Sequence, residues 1–426
     1  MDIIIRAARV IHPGSPYHTK VVDVLISNGK IKKIAAGIAD APRAREMKAP
    51  NLHVSLGWVD MNANFYDPGY EQKETIESGC RAAAAGGFTH VCVMPGSLPV
   101  TQTKAQIDYL LTRSKDNIVA MHPIGALTHD LRGHDLADMY DMYQAGAIAF
   151  SDGLKSSTSA GMLERTLLYV KAFGGLVMNH PEDKSVSKNG MMNEGVVSTR
   201  LGLPGAPALA EEIAVSRDIY LLEYTASRLH LLDISVKQSI ALIKAGKKKN
   251  LSLSASVNAY NLLLDETAVG QYNTGCKLNP HLRTKADVAA LIRGVEDGTI
   301  DTITSQHNPQ DEECKKLEFD KAEFGMIGLE TAYAVANTAL MGKVDATRMV
   351  ELMSLNARKI LRLPLHDIKE GEDADLTLFD PSVKWTFTEK DIRSRSKNTP
   401  FAGAEFIGKA IGVIHKEKIA LTHGKV

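Results

Sequence analysis

The side chains able to do chemistry gather at the ends of short apolar runs. Asp60, Asn62 and Asn64 sit at and just beyond the end of GWVDMNA, Asp152 ends GAIAFSD, and His180 ends GLVMNH with Glu182 and Asp183 following. Asp233 lies in RLHLLDIS, while Gln306 and His307 close IDTITSQH. A catalytic zinc takes about three protein ligands and keeps one position open. Asp152, His180 and Asp233 could hold one such ion; the plainer alternative is a hydrogen-bonded polar cluster. Neutral amide oxygens bind zinc poorly next to imidazole, so Asn62 and Asn64 read as a polar lining. His230, inside an alternating run, reads as structural, and His122, His129 and His134 as loop or surface residues.

Those positions need elements to hold them. Eight β-branched or apolar runs recur at 57–63, 88–95, 117–124, 146–152, 175–180, 228–235, 250–256 and 300–307, and most are separated by stretches of helical periodicity. Alternating strands and helices imply a parallel sheet, and eight repeats predict closure into a TIM-type (β/α)8 barrel, with an open doubly wound sheet as the rival. No glycine-rich dinucleotide fingerprint and no P-loop is present. In such a barrel the working residues stand at the C-terminal strand ends, where Asp152, His180, Asp233, Gln306 and His307 fall. Residues 1–52 and 365–426 carry short alternating segments instead, and are expected to join into one small flanking β-sandwich beside a barrel of residues 53–364. The alanines at 82–85 followed by Gly86 and Gly87 predict close helix packing and a helix stop.

Composition narrows the classes of function. The 426 residues carry 50 Lys plus Arg against 50 Asp plus Glu. That balance gives no long-range field for nucleic acid or an anionic membrane. Cys80, Cys92, Cys276 and Cys314 lack the spacing of a zinc or redox motif and are read as reduced thiols. No window approaches a membrane span and the start is too short for a signal peptide, so a cytoplasmic protein is expected.

Longer motifs then match a known pattern: DPG at 67–69, MPGSLPV at 94–100, LGLPGAPALAEE at 201–212, KLNPHLRTKADVAAL at 277–291, GLET at 328–331 and NTPFAGAEFIGK at 398–409. Across nearly the whole chain they resemble dihydroorotase, an amidohydrolase-superfamily enzyme of pyrimidine biosynthesis, of the type associated with aspartate carbamoyltransferase. The resemblance implies a barrel with a flanking sandwich. It also implies one or two zinc ions held by a first-strand His-x-His pair, a bridging lysine or aspartate, and two further histidines, with an aspartate after the last strand as general base.

Carried over, the ligand positions fall on Asn62, Asn64, Asp152, His180 and Asp233, and the base falls on Gln306, which cannot titrate. The substrate arginine falls on Tyr66, the loop asparagine on Gly96 and a pocket proline on Glu323, while Asn279 and His307 match substrate-side positions. Hydrolysis thereby loses a metal anchor and a base. The expectation is a catalytically degenerate pseudo-dihydroorotase with no cofactor, zinc entering only if a residual Asp152, His180 and Asp233 site forms. Its expected role is structural or regulatory partner of aspartate carbamoyltransferase or of an active dihydroorotase, in an oligomer. The alternative is an active dihydroorotase, or another cyclic amide hydrolase, working through that residual site.

Overall fold

The structure, a computed structural model, describes residues 2–39, 44–155 and 159–422. The N-terminal segment supplies β1 (Ile3–Ile11), β2 (Val21–Ser27), β3 (Lys30–Ala35), β4 (Arg45–Met47) and β5 (His53–Leu56). The barrel follows with β6 (Trp58–Ala63), β7 (Phe88–Val93), β8 (Ala120–Gly125), β9 (Ala149–Phe150) and β10 (Val177–Asn179). A short pair, β11 (Met192–Asn193) and β12 (Gly205–Ala206), precedes β13 (Leu229–Leu231), β14 (Leu253–Asn258) and β15 (Thr302–Thr304). The chain returns to the first layer with β16 (Asp375–Thr386), β17 (Glu405–His415) and β18 (Lys418–Leu421).

Eight parallel strands run in the order β6, β7, β8, β9, β10, β13, β14, β15. A parallel bridge between Ala63 and His307, with Asn64 N–H donating to His307 O at 2.8 Å, closes the ring. All eight runs read from the sequence are strands of this barrel. Every residue of β6 and β7 is buried, because a barrel strand is covered by side chains within and helices without. The helix Ile76–Ala85 starts at a Thr75/Ser78 capping box and stops at two glycines. A Cβ at Gly86 would stand 2.1 Å from Leu329 O, and Gly87 has φ +92, so helix packing and helix stop are both set there.

The terminal strands build one eight-stranded sheet in the order β18, β17, β16, β5, β1, β2, β3, with β4 on β1. The expected sandwich is thus a single curled layer with its own apolar cluster, including Ile5, Val24, Val54 and Leu378. The expected division at residue 53 falls at the start of β5, which pairs with β1 and β16 in this sheet. Sheet and barrel meet around Trp58, whose ring lies 4.6 Å from Tyr333 and 5.4 Å from Phe379. At the same seam Gly57 leaves room for Asp375 and Thr89, each with an oxygen 2.0 Å from where a Cβ would be.

Candidate active site

The C-terminal strand ends hold the expected residues, but hydrogen bonds to protein occupy most of their polar atoms. Asn62, on β6, donates through Nδ2 to Asp233 Oδ2. The other Asp233 oxygen accepts from Thr304 Oγ1 at 2.8 Å and from Ser256 Oγ at 3.3 Å. Burial pushes the Asp233 carboxyl up to about 6, against the nearby His180 charge and these three donors. Asp152 is held by Leu127 N–H at 2.8 Å, Thr128 N–H at 3.0 Å and the Thr128 hydroxyl at 2.5 Å. Burial raises its pKa as well.

Gln306, at the base position, accepts from the Tyr260 hydroxyl at 3.1 Å and donates to Asn279 O at 2.7 Å. Asn64 donates to His307 O at 3.3 Å. The buried His180 lies 3.7 Å from Glu182 through Nε2, and its Nδ1 has no hydrogen-bond partner. Burial alone would raise Glu182, but His180 and Lys184 hold it well below the usual carboxylate range. As a set these residues do not fit a metal: two positions are amides, one carboxylate is taken by an amide N–H, and the other is saturated by the loop that follows β8.

A cavity of about 610 Å³ opens at this end, lined by Asn64, Tyr66, Gly96 and Asp152 among the expected residues. The Tyr66 hydroxyl donates to Asn308 Oδ1 at 2.6 Å, and burial raises its pKa. At Gly96 a Cβ would meet only Tyr66 and Asn64, at 3.6 and 3.8 Å, so the missing side chain leaves open space. Asn279 reaches toward Glu182 at 3.5 Å, and Glu323 is exposed on its loop.

His307 stands apart from this lining. It is wholly buried, paired to Glu74 through Nε2 at 3.1 Å, and accepts Gly328 N–H at Nδ1. Glu74 in turn accepts from the hydroxyls of Ser78 and Ser394, so the histidine fastens the barrel to a segment before β17. The cavity also gains three cations the sequence did not point out: Lys73, Arg132 and Lys155. Lys73 Nζ sits 5.3 Å from the Tyr66 ring centre and 5.6 Å from that of Tyr70. No periodicity or motif marks such loop cations.

The opposite barrel end carries a second polar cluster. Asp375 Oδ2 accepts from Arg358 at 2.6 Å and lies 2.9 Å from His90 Nε2, while His90 Nδ1 lies 2.9 Å from His122. His122 is therefore half-buried and stacked on His90, not a loop residue as its neighbours in sequence suggested. Among the described residues, His90, Asp375 and His415 are the one trio of metal-ligating side chains whose donor atoms lie within 4.8 Å of one another. The Arg358 guanidinium already supplies the positive charge there, and a second cation beside it would be repelled.

The architecture is that of an amidohydrolase-type barrel with a flanking β layer. An L-hydantoinase (dihydropyrimidinase) from Arthrobacter aurescens superposes with a TM-score of 0.87 over 100% of this chain and 97% of that one, at 22% identity. A D-hydantoinase matches at a TM-score of 0.82 with 21% identity. The family model described as Dihydro-orotase-like matches residues 53–239. A dihydroorotase from Syntrophus aciditrophicus is 37% identical over 422 residues, covering 98% of this chain and 99% of its own. One from Pelotomaculum thermopropionicum is 40% identical over 405 residues, covering 95% and 94%. The chain belongs to the dihydroorotase family.

No helix among the described residues is long and apolar enough to cross a membrane.

Proposed function

We propose that this chain is a member of the pyrimidine pathway's dihydroorotase family that does not hydrolyse the family's cyclic amide, and serves as structural or regulatory partner of aspartate carbamoyltransferase. The observation that carries the first half is the bond from Asn62 to Asp233: two family ligand positions are spent on each other. Gln306, held at both ends of its amide, offers no site for a proton.

Support for the partner role comes from the resemblance and from the helix Leu209–Thr225. Its inner face buries Ala214, Val215 and Leu222, yet Leu209, Ile213, Tyr220 and Tyr224 stand on the outside, the last at 74% exposure. A helix apolar on both sides is one that an assembly covers.

Cyclic-amide hydrolysis is the second reading, and the relatives favour it: those at 37 and 40% identity are both named dihydroorotase over nearly their full lengths. It requires Asp233 to leave Asn62, with His180 Nδ1 free to ligate. Elemental analysis of the freshly purified protein, with a dihydroorotate turnover assay, separates the two. The first reading expects well under one zinc per chain and no turnover above background. Stoichiometric zinc with turnover that a chelator abolishes would overturn it and establish the second.

Asn62→His with Asn64→His is expected to raise bound zinc without restoring turnover, since metal and base act as a unit. Light scattering of a mixture with the organism's own aspartate carbamoyltransferase tests the partner. Separate components across salt and pH would remove that half of the proposal.

A further inference from the structure

At the N-terminal end of the barrel, away from the family site, a cavity of about 390 Å³ lies beneath β8, β9, β10 and β13. Among the described residues its wall contains two arginines, Arg228 and Arg362, and no aspartate or glutamate. Both guanidiniums converge on one acceptor: Arg228 Nη1 donates to Gly174 O at 3.1 Å, and Arg362 Nη1 donates to the same oxygen at 3.3 Å. Arg228 also donates to Ile360 O. Neither arginine makes an ion pair among the described residues, whereas most other arginines whose contacts are described reach a carboxylate.

Two like charges gathered on a single carbonyl repel, and the half-buried position of Arg228 weakens the screening by water. Its proton affinity is lowered accordingly, by burial first and by Arg362 second. A wall of this kind lacks a counter-charge. His122, also in the wall, stays neutral because burial pushes it down to about 3. It adds no repulsion for an anion and offers a ring edge. Leu361, Leu363 and Tyr143 complete an apolar rim.

We infer that this cavity binds the phosphate or diphosphate group of a small metabolite between Arg228 and Arg362. A guanidinium has five N–H donors in a rigid fork, and the two forks here have spent few of theirs. A carboxylate has two oxygens, enough for one fork; a tetrahedral phosphate has enough oxygens to bridge both. The volume suits a small molecule, at the lower end of ordinary ligand sites. Arg362 is exposed at the rim, which leaves a way in.

The site is independent of the mouth cations Lys73, Arg132 and Lys155, and of whether the family reaction occurs. The test is calorimetric titration of the full-length protein with pyrophosphate, orthophosphate and succinate at low ionic strength. One pyrophosphate per chain is expected, with orthophosphate weaker and succinate at least tenfold weaker than pyrophosphate. Arg362→Ala should weaken pyrophosphate at least tenfold. Arg362→Gln, which keeps the length and an amide donor, serves if the alanine variant is unstable and should lose nearly as much. The double variant Lys73→Ala, Lys155→Ala should bind as the parent does. Absence of binding at millimolar pyrophosphate, binding unchanged in both Arg362 variants, or binding lost only in the lysine variant would each overturn the site. Succinate binding equal to pyrophosphate would overturn the phosphate assignment.

Discussion

Two buried acids, Asp375 at the N-terminal end of the barrel and Asp233 at the C-terminal end, are accommodated in opposite ways. At the N-terminal end, Asp375 keeps its charge deep in the protein because Arg358 and His90 face it, and its pKa is held well below normal although burial alone would raise it. At the C-terminal end, amides stand beside carboxyls: Asn62 faces Asp233, and Gln306 is tied to Tyr260 and Asn279. With no strong cation in contact, burial carries Asp233 up to about 6 and Asp60 up to about 7. A charge pair welds two layers together, while an amide and a carboxyl fill a space that charge would otherwise make costly. The lesson is that a buried acid is informative only together with what faces it.

Breaking the charged end should have the largest effect. Arg358→Met strands Asp375 and removes a guanidinium bond to Gly57 O as well, so a loss of about 3–5 kcal/mol is expected from urea unfolding. A variant within about 1 kcal/mol of the parent would show that the clamp is dispensable.

Next in size is the response to pH, which should divide the two ends. His122 is depressed to about 3, so its contribution is present above the unfolded value of about 6.5 and is lost as pH falls toward 3. Asp60 is raised to about 7, so its contribution is present below the unfolded value near 4 and is lost as pH rises to 7. Asp60→Asn, which still accepts from Ser305 N–H, should flatten the decline between about pH 4 and 7 and leave the acid limb in place. Unfolding free energies measured across that range check it, and an unchanged slope would mean that Asp60 does not titrate there.

A smaller effect belongs to Asn62→Ala. It removes a donor from buried Asp233, with an expected cost of about 1–3 kcal/mol and a further rise in the Asp233 pKa. A carboxyl stretch followed by infrared difference spectroscopy would show a larger protonated fraction at neutral pH. Smallest of all, Tyr66→Phe loses one hydrogen bond to Asn308, and about 0.5–1.5 kcal/mol is expected from thermal unfolding.

The barrel was legible because its strands, buried almost throughout, read as short apolar or β-branched runs such as FTHVCV and LSASVN, set between stretches of helical periodicity. The family positions were legible through motifs that keep their spacing. His122 was missed because His90, on which it stacks, lies 32 residues away, and His90 is itself 285 residues from its partner Asp375, so nothing local announces the stack. His307 kept its family position in sequence while its ring turned to Glu74, an orientation decided by an acid 233 residues away. Lys73, Arg132 and Lys155 come from three separate loops. β5 reads like the start of the barrel because it abuts β6 with one glycine between, and only pairing with β16 assigns it to the other layer.

That pairing has a consequence for how the protein is made. β5 is bonded on one side to β1, which leaves the ribosome early, and on the other to β16, which leaves it among the last. Throughout synthesis of the barrel, the N-terminal strands therefore present an open edge whose mate has not been translated, and open edges recruit strands from other chains. Premature termination after residue 364 would make that exposure permanent: the cut chain would hold its barrel sequence, lack Asp375 beneath Arg358, and leave β5 paired to β1 alone with its other edge open. Such fragments should aggregate, and cells making this protein should feel the cost of truncation more than its length alone would suggest.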